Sequence, residues 1–281
     1  MKKYIKLLRV KHYIKNLLVF LPVFFGKAIF EPATLLQAVL GCLAFCAVSS
    51  AVYILNDIRD VESDRKHPTK KDRPLAAGEI TVTSAGVLFG VCILLAALLS
   101  FWLGSATGAA VLALYLVLNI GYSLGLKNVP IADVVILASG FVLRVFYGGF
   151  ITDIVISDWL YLVIISASLY LGLGKRRNEM RMIKDEGRKV LKYYTIPFLD
   201  KNMYVCMALT NVFYALWTMD LGVKNLVWTV PFFLVIFLYY SMVTEGDSDG
   251  DPVEVVLHHK AILVLAALYV LCMFGLLYFG R

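Results

Sequence analysis

From Ile80 to Leu126 the chain carries no charged side chain. That run is more than twice the ~20 apolar residues that cross a bilayer as one helix. It must cross twice, and Gly104-Ser105, with Gly108 close behind, marks the turn. The rest of the chain follows the same pattern. Of its 281 residues 60% are hydrophobic and the mean hydropathy is +0.78, so the sequence predicts an all-α, polytopic integral membrane protein. Apolar windows place nine spans, at about 13–30, 33–56, 82–103, 106–126, 130–151, 155–174, 203–220, 225–244 and 261–280. The first is the weakest, because Lys27 and Glu31 intrude.

Basic residues gather on one side of this arrangement. Of the 27 Lys and Arg, all but Lys27, Lys224, Arg281 and the intraspan Arg144 lie on the side of the N-terminus. By the positive-inside bias, the N-terminus and the polar loops are cytoplasmic, and nine spans leave the C-terminus outside. The net charge of +7 then describes a face suited to anionic headgroups and anionic substrates, with no compact basic domain for nucleic acid. Cys42, Cys46, Cys92, Cys206 and Cys272 all fall within apolar spans, where they read as small core residues, and no disulfide is expected. The basic start has no small-residue cleavage site behind a short apolar core, which reads as a retained first span.

The chain reads as one transmembrane domain over 1–281, with its functional residues in two cytoplasmic connections, about 57–81 and 175–202; their spacing suggests two related halves. The first connection opens Asn56-Asp57-Ile58-Arg59-Asp60-Val61-Glu62-Ser63-Asp64. On a continuing helix Asp57, Asp60 and Asp64 stand at i, i+3 and i+7, on one face. Three carboxylates so placed repel one another unless a cation or an arginine sits among them. Mg²⁺ carried by a diphosphate suits them, since it takes one or two carboxylates and fills its shell with phosphate oxygens. The segment continues to Arg73-Pro74-Leu75-Ala76-Ala77-Gly78, interleaving guanidinium groups with acids.

The second connection opens Gly174-Lys175-Arg176-Arg177-Asn178-Glu179. Lys175 and Arg176 stand where the sixth span should end, at a depth suited to phosphate contact while a lipid tail stays in hydrocarbon. Glu179 is the acid placed to orient a base or join a metal. Arg144, fourteen residues into the fifth span, calls for a polar cavity, a phosphate or a buried carboxylate. Asp133, eleven residues earlier, is too distant along one straight helix to be a direct partner. Near the first span, Arg9, Lys11, Lys15 and Asn16 precede an apolar run and fit the cationic side of an interfacial helix. His12, His67, His258 and His259 form no catalytic constellation.

The ladder followed by Arg73-Pro74-Leu75-Ala76-Ala77-Gly78 resembles the UbiA superfamily of intramembrane prenyltransferases, whose members carry an NDxxDxxxD motif after the second of nine helices. Within it, the chain resembles the polyprenyl-phosphate (decaprenyl-type) phosphoribosyltransferase branch. The segments that carry this likeness are Lys15-Asn16-Leu17-Leu18-Val19-Phe20, Tyr122-Ser123-Leu124-Gly125-Leu126-Lys127, Gly140-Phe141-Val142-Leu143-Arg144, Gly174 to Glu179, and Asp251-Pro252-Val253-Glu254. The aromatic prenyltransferases of the superfamily have a second aspartate-rich motif after the sixth helix. Here that place holds Lys175, Arg176 and Arg177, which suits a monophosphate held by direct cationic contact.

The resemblance implies a nine-helix UbiA-like bundle in the cell membrane with its site open to the cytoplasm. It implies Mg²⁺-dependent transfer of 5-phosphoribose from phosphoribosyl diphosphate (PRPP) to a polyprenyl phosphate, a step toward a cell-wall glycolipid precursor. Asp57 and Asp60 would act in catalysis and, with Asn56 and Asp64, hold the metal. Lys15, Asn16, Arg73, Tyr122, Lys127, Arg144, Lys175, Arg176 and Glu179 would bind substrate. A homo-oligomer is left open. Two rivals remain: a prenyltransferase joining a prenyl diphosphate to an aromatic or other small acceptor, and a membrane transporter, which leaves the acidic ladder without a purpose.

Overall fold

The computed structural model describes residues 2–66, 70–182, 188–246 and 251–280. Among them there is no strand. Twelve α-helices follow one another: α1 (Lys2–Leu8), α2 (Leu21–Phe25), α3 (Pro32–Arg59), α4 (Val61–Lys66), α5 (Val82–Leu103), α6 (Ala106–Leu124), α7 (Ala132–Thr152), α8 (Asp158–Met182), α9 (Ile196–Asp220), α10 (Thr229–Glu245), α11 (Pro252–His258) and α12 (Lys260–Phe279). Among the described residues six segments are long and apolar enough to cross a membrane: α3, α5, α6, α7, Leu226–Glu245 and α12. The sixth expected span falls largely on α8 and the seventh lies inside α9, each helix 25 residues long. Chain contacts divide the protein into two units, Met1–Leu124 with Leu143–Val155, and Gly125–Val142 with Ile156–Arg281.

The expected first span is not a single α-helix. Arg9 turns left-handed at φ 53, and Val10–Phe20 then forms a 3₁₀ helix before the short α2. A 3₁₀ helix has three residues per turn, so side chains at i and i+3 eclipse. Here Tyr13, Asn16 and Val19 share that line. The Tyr13 hydroxyl lies 2.8 Å from Ser50 Oγ, Asn16 Nδ2 donates to Cys46 Sγ at 3.1 Å, and Val19 packs in the core. An α-helical repeat would fan these three out; the tighter winding keeps all of them inward.

In the first unit α3 packs against α5, and also against the 3₁₀ helix, α1 and α6. Its buried face is built of Ala44, Ala47, Ser50 and Ala51, small side chains that let neighbouring backbones approach where lipid gives no hydrophobic drive. Phe45, Val48, Tyr115, Tyr147 and Ile151 fill the space around them. Gly148 is required by contact: a Cβ there would stand 2.1 Å from the Val19 carbonyl oxygen. At the expected turn Gly104 closes α5 with φ 67, the left-handed cap that glycine adopts without strain.

In the second unit α8 pairs with α9, and α10 packs on both α9 and α12. Val134, Tyr170, Leu173, Leu199 and Met203 form its core. Helix α9 starts earlier than the expected 203, because Thr195 Oγ1 accepts from the Phe198 amide at 3.2 Å and proline stands at the first turn. Helix α8 likewise outlasts the expected end at 174: apart from Asn178, Lys175 to Met182 are good helix formers, and they stay helical.

Candidate active site

The acidic ladder sits at the end of α3 in the first unit. Asp60 caps the helix at φ −93 and ψ 6, so the helix does not run straight through the ladder as expected; α4 resumes at Val61. The Asp60 amide still donates to Asn56 O at 2.9 Å and its carbonyl accepts from the Asp64 amide at 2.8 Å. Asp57 and Asp64 are thereby turned inward and buried, at 2% and 3% exposure, while Asp60 is half-buried.

Buried carboxylates need cations, and two arginines supply them. Arg73 Nη1 donates to Asp64 Oδ2 at 2.7 Å and to Asp57 Oδ1 at 3.2 Å. Arg9 Nη2 reaches the same Asp57 oxygen at 2.6 Å, with its guanidinium 4.6 Å from the Tyr53 ring centre. Lys6 Nζ donates to Asp72 O at 2.5 Å and Lys3 Nζ to Glu79 O at 3.0 Å; α1 therefore straps the loop that carries Arg73. Ser123 Oγ donates to Asn56 Oδ1. The sequence named Arg73, and it set Arg9 only among the interfacial cations; a left-handed arginine just ahead of a 3₁₀ run is no sequence signal.

Among the described residues no three or more His, Cys, Asp or Glu side chains converge as a metal cage. Two buried carboxylates aimed at one guanidinium nitrogen are present instead. That donor set fits Mg²⁺, a hard ion that needs one or two carboxylates from the protein when phosphate and water supply its remaining oxygens.

A second polar group lies deeper in the first unit. Arg144, 5% exposed, donates through Nε to Asn16 Oδ1 at 2.8 Å and through Nη2 to Tyr115 OH at 3.4 Å. Its guanidinium stands 4.7 Å from the Phe45 ring centre and 5.1 Å from that of Tyr115. Asn16 also touches Cys46 and Ser49, which lie about two to three helical turns along α3 from Asp57. Lys15 and Tyr122 are half-buried. All five cysteines are free thiols.

In the second unit Arg176 is fully buried, where the sequence expected it to reach a phosphate. Its Nε donates to Asp133 Oδ2 at 2.5 Å and its Nη1 to Glu179. Asp133 also accepts from the Tyr194 hydroxyl at 2.5 Å. Arg188 lies 3.5 Å from Glu179, Arg177 pairs with Asp200, and Lys175 Nζ donates to Asp251 Oδ2 at 3.3 Å. Burial raises the Glu179 carboxyl, but Arg188, Arg176 and Lys175 outweigh it and leave the group below its ordinary value. Lys127 is half-buried in the same unit. His67 and residues 183–187 of the second connection lie outside the described residues.

An apolar cavity of about 620 Å³ in the first unit is lined by Val48, Ala96, Phe101, Gly104, Leu112 and Leu116. It lies toward the Gly104 turn, and none of the ladder residues lines it.

An all-helical fold with membrane-length apolar helices and with carboxylates and guanidinium groups collected at helix ends is joined here to the likeness of a family of integral-membrane transferases. A profile of the UbiA prenyltransferase family matches residues 19–259, and the chain belongs to that family. It is 37% identical to a Corynebacterium glutamicum protein named decaprenyl-phosphate phosphoribosyltransferase, over 95% of this chain and 84% of that one. It is 32% identical to a protein of the same name from Mycolicibacterium smegmatis, over 98% of this chain and 92% of that one. Among solved structures, a UbiA homologue from Archaeoglobus fulgidus bound to GPP and Mg²⁺ superposes with a TM-score of 0.77 at 22% identity, covering 98% of this chain and 99% of that one.

Proposed function

We propose that the protein transfers 5-phosphoribose from PRPP to a polyprenyl phosphate and releases pyrophosphate. The observation that carries this reading is the make-up of the second connection. Asp133, Glu179, Asp200 and Asp251 each hold a Lys or Arg. Asp57 and Asp64 are arginine-paired too, so what sets the second connection apart is its composition: it opens with Lys175, Arg176 and Arg177 and has Glu179 as its near acid, which favours a monophosphate over a second metal-held diphosphate. Lys175 and Lys127, both half-buried, are the cations assigned to a monophosphate. The relatives named decaprenyl-phosphate phosphoribosyltransferase support the same choice.

Asp57 and Asp60, with Asn56 and Asp64, would hold Mg²⁺, which when bound offsets charge on the departing diphosphate. Arg73 and Arg9 stand beside those carboxylates to receive phosphate oxygens, stabilising negative charge as the ribosyl carbon becomes oxocarbenium-like. The attacking lipid phosphate is already anionic near neutral pH, so no strong general base is needed. Arg144 and Arg176, both buried and hydrogen-bonded to the protein, position their neighbours. The predominance of basic residues on one side supports a cytoplasmic N-terminus and a nine-span bundle whose site opens to the cytoplasm, with PRPP arriving from water and the lipid from the bilayer.

Purified protein given labelled PRPP, Mg²⁺ and a polyprenyl phosphate should move label into the organic phase. No label there, with turnover of a prenyl diphosphate and an aromatic acceptor instead, would transfer the chain to the aromatic branch; silence in both would favour a transporter.

A further inference from the structure

The pairing of Arg73 raises a question of competition, because it lies where the proposed cation must go. One nitrogen, Nη1, serves both Asp57 Oδ1 and Asp64 Oδ2. The two carboxylates are 3% and 4% exposed as side chains and are fixed to the ends of α3 and α4. Stripped of a cation, they would be two buried like charges, which costs several kcal/mol or forces one to protonate. The charged Asp57/Asp64 pair is therefore stabilised by whichever cation lies between its carboxylates.

Of the two arginines, Arg73 is the better placed to leave. Arg73 follows the short 3₁₀ turn Lys70–Asp72 and is 27% exposed, against 21% for Arg9. Arg9 lies against the Tyr53 ring and touches only Asp57 of the two acids, so it can stay when Arg73 goes. We infer that Arg73 is a removable internal cation: it holds the Asp57/Asp64 pair while no divalent ion is bound, and exchanges onto the donor's phosphates when the ion arrives. The inference rests on the metal role proposed for Asp57.

Two consequences follow from the exchange. A divalent ion alone must displace Arg73 into water and binds weakly. An ion arriving with a diphosphate gives Arg73 a new anion, so the two ligands strengthen one another's binding. Arg73 is thus a positioning residue before binding and a phosphate ligand after it.

The test is a titration of Mn²⁺ into protein in lipid nanodiscs, without donor, followed by the electron paramagnetic resonance of the free ion. Removing an opposite charge beside two carboxylates changes their proton affinity by one to three pKa units, and a competing metal should respond in the same sense. Arg73→Gln should therefore bind Mn²⁺ about tenfold or more tightly than the unaltered protein, while its KM for PRPP rises. Arg73→Lys, which keeps the charge, should stay within about threefold of the unaltered affinity, and Asp57→Asn should abolish the tightening seen with Arg73→Gln. Mn²⁺ binding by Arg73→Gln that is unchanged, weaker or absent overturns the inference. Tighter Mn²⁺ binding by Arg73→Gln, with no label transfer from PRPP by the unaltered protein, upholds the exchange and overturns the proposed reaction instead.

Discussion

Asp133→Asn isolates the role of the buried Arg176. Both side chains are fully buried, and Asp133 Oδ2 takes Arg176 Nε at 2.5 Å while its other oxygen takes the Tyr194 hydroxyl at 2.5 Å. Asparagine keeps the volume and an acceptor oxygen but removes the charge, leaving Arg176 with Glu179 as its remaining carboxylate in this group. Breaking a buried pair by altering one partner costs about 3–5 kcal/mol, and the surviving Glu179 contact argues for the lower end, about 3 kcal/mol. At about 2–4 °C per kcal/mol for a chain of this size, Tm should fall by about 6–12 °C. The assay is thermal unfolding of detergent-solubilised protein, followed by tryptophan fluorescence. The double change Asp133→Leu with Arg176→Met should recover most of the loss, because an apolar pair of similar volume replaces the ions without stranding either. A Tm within about 3 °C of the unaltered protein for Asp133→Asn, together with a raised KM for PRPP in Arg176→Met, would refute the structural role and return Arg176 to the phosphate.

Asp57→Ala or Asp60→Ala should abolish label transfer from PRPP to lipid while the protein still inserts and elutes as a monodisperse species; near-native turnover in either would remove the metal role. Gly148→Ala should lower Tm measurably, because its Cβ would collide with the Val19 carbonyl at 2.1 Å and backbone must give way; unaltered melting would show that α7 can shift without cost. The Glu179 carboxyl, held low by Arg188, Arg176 and Lys175 against burial, contributes stability that is fully present above its unfolded value of about 4.3. That contribution is lost as pH falls through the lower native value. Glu179→Gln should therefore flatten the acid side of the Tm–pH curve below about pH 4, and curves of equal steepness would contradict the ion-pair assignment.

The membrane fold was legible because its signal is local. An uncharged run from Ile80 to Leu126 leaves two spanning helices as its outcome, and a glycine at 104 is where the chain can turn left-handed. The ladder was legible for a similar reason: Asp57, Asp60 and Asp64 follow directly on an apolar helix, where carboxylates have no topological purpose. Even the need for a cation or an arginine among them followed from like-charge repulsion. The partners were not legible. Arg73 and Arg9 lie 16 and 48 residues from Asp57, and Asp133 lies 43 from Arg176. Basic residues near a membrane satisfy topology and chemistry with the same letters, so sequence cannot separate a lysine at the lipid surface from an arginine locked in the interior. The 3₁₀ winding of Val10–Phe20 was hidden as well, because an apolar run reads as an α-helix until the inward neighbours at every third residue are known. Hydropathy and the acidic ladder were properties of the sequence by itself, since each is set by short-range composition. Which cation meets which carboxylate was decided by tertiary structure alone, because a buried charge is matched by whatever the fold brings within about 3 Å of it.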